Sequence, residues 1–148
     1  MRVGKFRILG GLVLAAGAAI LFFSAYSECT TVTGGDDVAI DVSAMSSGSA
    51  RAFCYTDQAG ERLRFILARG SDGKVRSVFD ACRQCSGYHR GYRLAGGEMI
   101  CRVCGNHYSV DRMNEGEASC VPVGLAHQDD GEVVHIKTAD LKAGRAMF

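Results

Sequence analysis

The sequence predicts a small, mainly β protein whose antiparallel strands carry two metal-binding knuckle loops. Three observations predict this class. Short runs alternate apolar with polar residues, glycine-rich turns separate these runs, and two Cys-x-x-Cys pairs lie fifteen residues apart, Cys82/Cys85 and Cys101/Cys104. The 148-residue chain contains 19 glycines and only one proline, a composition typical of a domain with many turns and a modest core.

The chain begins with a basic segment followed by an uncharged stretch, residues 8–26. Its 19 residues come close to the ~20 that span a bilayer as a helix. Arg2, Lys5 and Arg7 precede it, which favours a cytoplasmic N-terminus. We therefore predict that residues 1–27 form a signal anchor, a single transmembrane helix in the inner membrane, with the C-terminal domain periplasmic or otherwise extracytoplasmic. A cleaved signal peptide is the alternative.

Three further segments follow the predicted anchor. Residues 28–50 are rich in Thr, Ser, Gly and Asp, and this composition predicts a flexible linker, although Val38–Val42 alternates like an edge strand. Residues 51–137 are predicted to form the metal-binding β domain. Residues 138–148 are a C-terminal tail in which a short helix is expected, with Thr138 as its N-cap.

Within the predicted domain, a hairpin leads into the first cysteine pair. Leu63, Phe65 and Leu67 alternate with other residues, which predicts a strand with one buried face. Gly70–Gly73 is a turn signal, and Val75–Phe79 is the returning strand. Further short strands are expected at three places: Met99–Cys101, His107–Val110 and Val133–Ile136.

The two cysteine pairs are predicted to close around one inorganic centre. Four thiolates at this spacing suit tetrahedral zinc, a single iron ion or an iron–sulfur cluster. The predicted metal ligands and cofactor-binding residues are therefore these four: Cys82, Cys85, Cys101 and Cys104. Two local disulfides are the alternative in an oxidising compartment.

The remaining cysteines and one histidine are weaker candidates. Three interpretations of Cys120 stay open: a fifth ligand, a disulfide partner of Cys54 or Cys29, or a small buried residue. Cys54 lies in a predicted strand and is expected to pack in the core. His107 follows Cys104 by three residues, close enough to bind the metal or to donate a hydrogen bond to a coordinating sulfur.

Aromatic and basic residues surround the cysteine pairs. We expect three tyrosines to cover the centre and exclude water: Tyr88, Tyr92 and Tyr108. Four arginines give the site a basic rim, and they either offset the negative charge of the thiolates or bind an acidic partner: Arg83, Arg90, Arg93 and Arg102.

Charge and motif content exclude other classes of function. The net charge is +1, so nothing favours a nucleic-acid partner. The sequence contains no recognisable nucleophile–base pair or paired carboxylates, and we expect the protein not to be an enzyme.

Four joined motifs carry a resemblance to a known family. They are Phe79-Asp-Ala-Cys82 with Cys85, Gly91-Tyr-Arg93, the run from Gly97 to Gly105, and Cys120-Val-Pro-Val. Together they resemble the FtrD-like family of bacterial membrane iron–sulfur proteins, over about residues 51–126. The resemblance implies an iron–sulfur cluster, attachment to the membrane and a partnership with an inner-membrane iron permease or other subunits of the transport system. In that family glycines usually precede the last cysteine, whereas this chain has Gly116-Glu-Ala-Ser before Cys120.

A more distant resemblance concerns the second pair. The run from Gly96 to Cys101, followed by a loop ending at Tyr108, is similar to the second cluster loop of a Rieske domain. A Rieske-like or zinc-ribbon-like fold is therefore expected. Gln84 stands where the first Rieske histidine would be, which implies all-thiolate ligation. All-cysteine plant-type centres lie at about −400 mV, against about −150 to +300 mV with histidine ligands, so such a centre would donate electrons more readily than accept them.

The predicted function is that of a membrane-anchored iron–sulfur protein, an electron-transfer or accessory component of an iron transport system. Zinc or mononuclear iron stays open as the metal, because the N-terminus lacks a twin-arginine signal and an unfolded exported chain would acquire its metal outside. The alternatives are a zinc-stabilised, non-redox binding module and a thiol–disulfide protein.

Overall fold

The computed structural model describes residues 29–113, residue 115 and residues 120–148. The predicted membrane anchor, residues 1–27, lies outside them, so its assignment stays a prediction. Within the described part of the chain, no helix combines the length and apolar character needed to cross a membrane.

The described residues form a mainly β structure, as predicted. In chain order the strands are β1 (Thr30–Val32), β2 (Asp37–Asp41), β3 (Ser49–Thr56), β4 (Arg62–Arg69), β5 (Val75–Cys82), β6 (Tyr92–Ala95), β7 (Glu98–Cys101), β8 (His107–Ser109), β9 (Pro122–Gly124), β10 (Gln128–Asp129) and β11 (Val133–Lys137). A short helix, α1 (Thr138–Ala143), follows, and 3₁₀ turns cover Ser86–Tyr88 and Arg145–Met147.

These strands form three sheets. The central sheet has the order β1-β3-β4-β5-β9, in which β1 is parallel to β3 and the other pairs are antiparallel. A second sheet, β10-β11-β2, and a third, β6-β7-β8, are antiparallel throughout. The third sheet carries the second cysteine pair, because β7 ends at Cys101.

The predicted hairpin is confirmed as β4 and β5, with Phe65 opposite Phe79. Gly73 in its turn has φ +77°, a conformation that glycine adopts without steric cost. The prediction of one buried face on β4 is wrong, because Ile66 and Ala68 are buried together with Leu63 and its neighbours on the other face. The strand lies in the middle of the sheet and has a hydrophobic cluster on each side.

The two hydrophobic clusters lie on the two sides of the central sheet. The first cluster lies on the side of β2, β11 and α1, and contains Val38, Phe65, Phe79, Ile136 and Leu141. The second cluster lies on the side of β6 and β7. It contains four cysteines together with aliphatic and aromatic side chains: Cys82, Cys85, Cys101, Cys120, Ile66, Val78, Tyr92 and Met99. The cysteines are thus part of a packed core.

The flexible-linker prediction for residues 28–50 is wrong for the described part of that segment. Val38, Ile40 and Val42 are buried, and β2 pairs along its whole length with β11. The edge strand that the alternation of Val38–Val42 indicated is present as β2, with one face on the core.

The C-terminal tail, residues 138–148, is also part of the fold. Leu141 is fully buried in the first cluster, and Arg145 forms an ion pair with the buried Asp57. The expected helix is present, but Thr138 is its first residue and Lys137 occupies the N-cap. The Thr138 hydroxyl instead donates a hydrogen bond to the Asp36 carbonyl oxygen, at 3.3 Å.

A disulfide joins Cys29 to Cys54, with their Cα atoms 5.6 Å apart. It links the start of the described chain to β3, beside the parallel pairing of β1 and β3. Core packing was the expectation for Cys54; it is fully buried, and its sulfur is covalently bonded. Because these two cysteines pair with each other, neither is a disulfide partner of Cys120.

Candidate metal centre

Five free cysteines converge on one region between the central sheet and the β6-β7-β8 sheet. Two groups of three have sulfur atoms within 4.8 Å of one another: Cys82, Cys85 and Cys101, and Cys85, Cys104 and Cys120. Cys85 belongs to both groups, so the five thiols form one continuous cluster, hereafter the thiol cluster. All four predicted cysteines are present in it, and Cys120 is the fifth.

The first pair is positioned by the end of β5. Cys82 is the last residue of that strand, and the amide of Cys85 donates a hydrogen bond to the carbonyl oxygen of Cys82 at 3.1 Å. A 3₁₀ turn then begins at Ser86, which reverses the chain. The tight turn aims the thiols of residues 82 and 85 at the same volume.

The second pair is positioned in the same way by the end of β7. Cys101 is the last residue of β7, and the amide of Gly105 donates to its carbonyl oxygen at 3.0 Å. Gly105 has φ +74°, which closes the loop around Cys104. Cys104 is the exposed member of the thiol cluster, whereas the other four thiols are buried.

Cys120 is brought to the cluster by β9. Pro122 lies opposite Cys82 in the pairing of β9 with β5, and the Arg83 amide donates to the Val121 carbonyl oxygen at 3.1 Å. The Tyr108 hydroxyl donates a hydrogen bond to the Cys120 carbonyl oxygen. The Cys120 and Cys85 sulfurs are 3.7 Å apart. Sequence spacing could not choose among the three interpretations of Cys120, because the pairing of β9 with β5 determines where this cysteine lies.

Backbone amides and burial set the acidity of the thiols in opposite directions. Burial alone would raise the pKa of Cys82, but hydrogen bonds from the backbone of Cys85 and Gln84 outweigh it and the pKa is lowered. A backbone hydrogen bond from Asn106 lowers the pKa of Cys104. Burial raises the pKa of Cys85, and a hydrogen bond with Cys104, together with burial, raises that of Cys120 to about 11. Each loop therefore contributes one thiol that ionises readily, the state needed to bind a metal.

A buried carboxylate braces the first loop. One oxygen of Asp80 accepts a hydrogen bond from the Tyr92 amide at 2.7 Å, and the other lies 2.9 Å from the Arg64 guanidinium. Burial raises the pKa of Asp80 to about 6 although Arg64 opposes this shift. Gly91 packs on the carboxylate so closely that a Cβ atom there would lie 2.5 Å from an oxygen of Asp80.

The thiol cluster fits an iron–sulfur centre by its chemistry. Soft thiolate donors are the ligands of such centres, and five are available here. The Tyr92 hydroxyl is buried in the same core without a hydrogen-bond acceptor among the described residues. Burial, followed by the nearby Cys82, raises the pKa of Tyr92, which keeps its proton on the oxygen. The Cys82 thiol lies close to this hydroxyl, so a sulfur of the bound centre would be in a position to accept its hydrogen bond.

Two predicted neighbours of the centre are elsewhere. The His107 ring pairs with Glu98 through Nδ1 and Oε2 at 2.8 Å, and its side chain is 55% exposed. It belongs to neither group of converging sulfurs, so the structure does not support a ligand role. Tyr88 is 69% exposed and does not cover the centre. Tyr92 and Tyr108 do lie beside it, with ring centroids 6.1 Å apart in an edge-to-face arrangement.

A cavity of about 30 Å³ reaches the thiol cluster from one side. It is lined by three of the thiols, by the Arg64–Asp80 pair, by loop residues of both pairs and by the C-terminus: Cys82, Cys85, Cys101, Arg64, Asp80, Ala81, Ser86, His89, Arg90, Gly91, Val103, Met147 and Phe148. The two cysteine loops therefore meet at this opening.

The fold and the thiol cluster together define a small β protein with a buried, thiolate-rich metal site. The profile of the family described as "Membrane iron-sulfur containing protein FtrD-like" matches residues 45–148. The chain belongs to this family of FtrD-like membrane iron–sulfur proteins. Its resident cofactor is accordingly an iron–sulfur centre, which agrees with the expectation from the sequence motifs.

Solved structures show a weaker likeness. The quaternary ammonium Rieske monooxygenase CntA has a TM-score of 0.45 and 16% identity, over 68% of this chain and 30% of that chain. The ferredoxin of carbazole 1,9a-dioxygenase from Nocardioides aromaticivorans IC177 has a TM-score of 0.42 and 18% identity, over 67% of this chain and 93% of that chain. The chain thus spans about a third of the monooxygenase. No curated protein matches the sequence.

Proposed function

We propose that this protein is a membrane-anchored electron-transfer component of an iron transport system. The observation that carries the proposal is the convergence of five thiols, four of them buried, in the core of an FtrD-like chain. An iron–sulfur centre supplies one-electron transfer when it is bound. The residues proposed to hold it are those of the thiol cluster: Cys82, Cys85, Cys101 and Cys104, with Cys120 as the fifth candidate.

The surrounding residues have defined tasks in this proposal. The apolar side chains of the second cluster would exclude water from the centre, and the buried Tyr92 hydroxyl would be available to donate a hydrogen bond to a sulfur held there. Tyr108 holds the backbone of Cys120 in place, and Asp80 anchors the first loop to β6. Hydrogen bonds to sulfur and exclusion of solvent are two of the factors that set the potential of such centres.

An extracytoplasmic position for the folded domain is part of the proposal. The Cys29–Cys54 disulfide supports it, because disulfides persist in oxidising compartments such as the bacterial periplasm. Residues 1–27 would then be a single inner-membrane anchor. The family description supports attachment to a membrane, and the orientation rests on the basic residues that precede the apolar stretch.

The proposed partner is an inner-membrane iron permease, and the proposed role is electron supply rather than catalysis. The family resemblance noted for the sequence motifs supports the permease. A non-catalytic role is proposed because the sequence contains no recognisable nucleophile–base pair and the thiols are assigned to holding the centre.

Purification without oxygen tests the proposal. The expected protein contains iron together with acid-labile sulfide, absorbs near 400–460 nm and is reversibly reduced and reoxidised. Replacement of any essential ligand, for example Cys101→Ser, should abolish the absorption. A colourless protein with one zinc ion and no sulfide would reject electron transfer and favour a structural module.

A further inference from the structure

The two cysteine loops present an unusual surface to solvent. Tyr88 and Val103 are the exposed large hydrophobic side chains found among the residues that the structure describes, at 69% and 37%. Tyr88 lies three residues after Cys85, and Val103 immediately precedes Cys104. Each cysteine loop therefore exposes one large apolar side chain, whereas the other large apolar side chains of the described residues are buried or half-buried.

Positive charge flanks Tyr88 along the first loop. Arg83 and Arg90 are exposed on the first loop. From residue 83 to residue 97 the chain contains three arginines and no aspartate or glutamate. The nearby Asp80 is buried in its ion pair with Arg64. We call the exposed side chains of Arg83, Tyr88, Arg90 and Val103 the knuckle surface.

Part of the knuckle surface borders the cavity that reaches the thiol cluster. Val103 and Arg90 line the same cavity as Cys82, Cys85 and Cys101. Cys104, beside Val103, is the exposed thiol. A macromolecule bound at this surface would therefore be adjacent to the bound centre.

We propose that the knuckle surface is the docking site for a protein redox partner with an acidic rim around an apolar contact. This inference rests on the proposed electron-transfer function and adds the chemistry of its partner. Opposite charges steer association and fix orientation, and an apolar contact at the centre excludes water. One electron passes between the bound centre and the partner's one-electron cofactor, so no other reactant is required.

The test uses two haem proteins of opposite surface charge as probes. The holoprotein is reduced, and its oxidation is followed with the acidic soluble domain of cytochrome b5 and with basic cytochrome c. We expect the rate with cytochrome b5 to fall as salt is added, because attraction is screened beyond ~8 Å at physiological ionic strength. The rate with cytochrome c should rise or stay unchanged with salt.

Charge-reversal variants locate the effect. Arg83→Glu combined with Arg90→Glu should slow the reaction with cytochrome b5 by at least about tenfold at low salt and speed that with cytochrome c. Tyr88→Ser should slow the reaction with cytochrome b5 without changing the salt dependence of its rate. The matched control is Lys74→Glu, because Lys74 is exposed at the opposite end of β5 from Cys82 and should leave both rates unchanged. Visible spectra and potentials verify that the centre is intact in each variant.

Several outcomes separate this inference from the proposed function. Equal rates with both probes, or the same loss in the Lys74 control, would overturn the docking surface while the iron–sulfur function stands. A protein without a redox-active centre would overturn both. If the arginine variant loses binding to phosphatidylserine vesicles but keeps its cytochrome b5 kinetics, the surface contacts lipid and the inference is wrong.

Discussion

Removal of the Cys29–Cys54 disulfide should lower the stability of the domain by a predictable amount. The bridge closes a loop of 25 residues, for which the loop-entropy relation gives about 3.5 kcal/mol at 25 °C. For a chain of this size, 1 kcal/mol corresponds to roughly 2–4 °C in melting temperature, so the loss predicts a decrease of about 7–14 °C.

The assay compares thermal unfolding of three variants by circular dichroism: Cys29→Ser, Cys54→Ala and the double variant. Each single variant breaks the same bridge, so Cys29→Ser should account for nearly all of the loss. Cys54→Ala should add only about 1 kcal/mol for the lost buried sulfur, because Cys54 is fully buried. The double variant should be no less stable than Cys54→Ala. If Cys29→Ser unfolds at the same temperature as the parent protein, the bridge is absent and its support for an oxidising compartment fails.

Three further predictions concern other parts of the fold. Gly91→Ala would place a Cβ atom 2.5 Å from Asp80 at φ +58°, so it should lower the free energy of unfolding by more than about 2 kcal/mol and reduce the iron content. Gly105→Ala meets no atom within 4 Å and should lower that free energy by only about 1 kcal/mol, as compared by urea unfolding. Leu141→Ala should cost about 2–5 kcal/mol by the same assay, and no loss would show that residues 138–148 are a free tail. Hydrogen bonds from Arg76 lower the pKa of Asp72 from 3.8 to about 2. The ionised Asp72 carboxylate therefore stabilises the fold above about pH 4, and this contribution is lost as the pH falls towards 2. Asp72→Asn should therefore be less stable than the parent at neutral pH and equal to it below pH 2, and equal stability at every pH would refute the pairing.

Local patterns in the sequence were sufficient for the β4–β5 hairpin and for the two cysteine loops. The hairpin depends on alternation and on a Gly-rich turn, both of which are local signals. Each cysteine pair depends on a tight turn at the end of a strand. The convergence of the four predicted thiols therefore follows from short-range information together with the pairing of β6 and β7.

Two other features depend on pairing between strands that are distant in the sequence, and local patterns do not predict such pairing. Cys120 reaches the thiol cluster because β9 pairs with β5, and no spacing rule predicts which strand a distant segment joins. The segment from residue 29 to residue 50 reads as polar, yet Val38 and Ile40 are buried once β11 pairs with β2. A short edge strand with alternating residues is too weak a signal to outweigh a polar composition.

His107 pairs with Glu98, whereas its spacing from Cys104 led us to expect it at the metal centre. Its ring lies on the exposed face of β8, where His107 is opposite Ile100 of β7, and it pairs diagonally with the carboxylate of Glu98 on the same strand. Spacing from Cys104 describes distance along the chain, whereas the alternation of a strand determines the face on which a side chain lies. Tyr88 lies in solvent for a different reason, because the 3₁₀ turn that contains it has no buried residues.

The central claim is that the converging thiols hold an iron–sulfur centre. Iron, zinc and acid-labile sulfide should be measured on anaerobically purified protein, beside the five single Cys→Ser variants of the thiol cluster. The account predicts iron and sulfide in the parent protein, and loss of both in the variants that lack an essential ligand. Five free thiols with neither iron nor sulfide, or zinc alone, would contradict it.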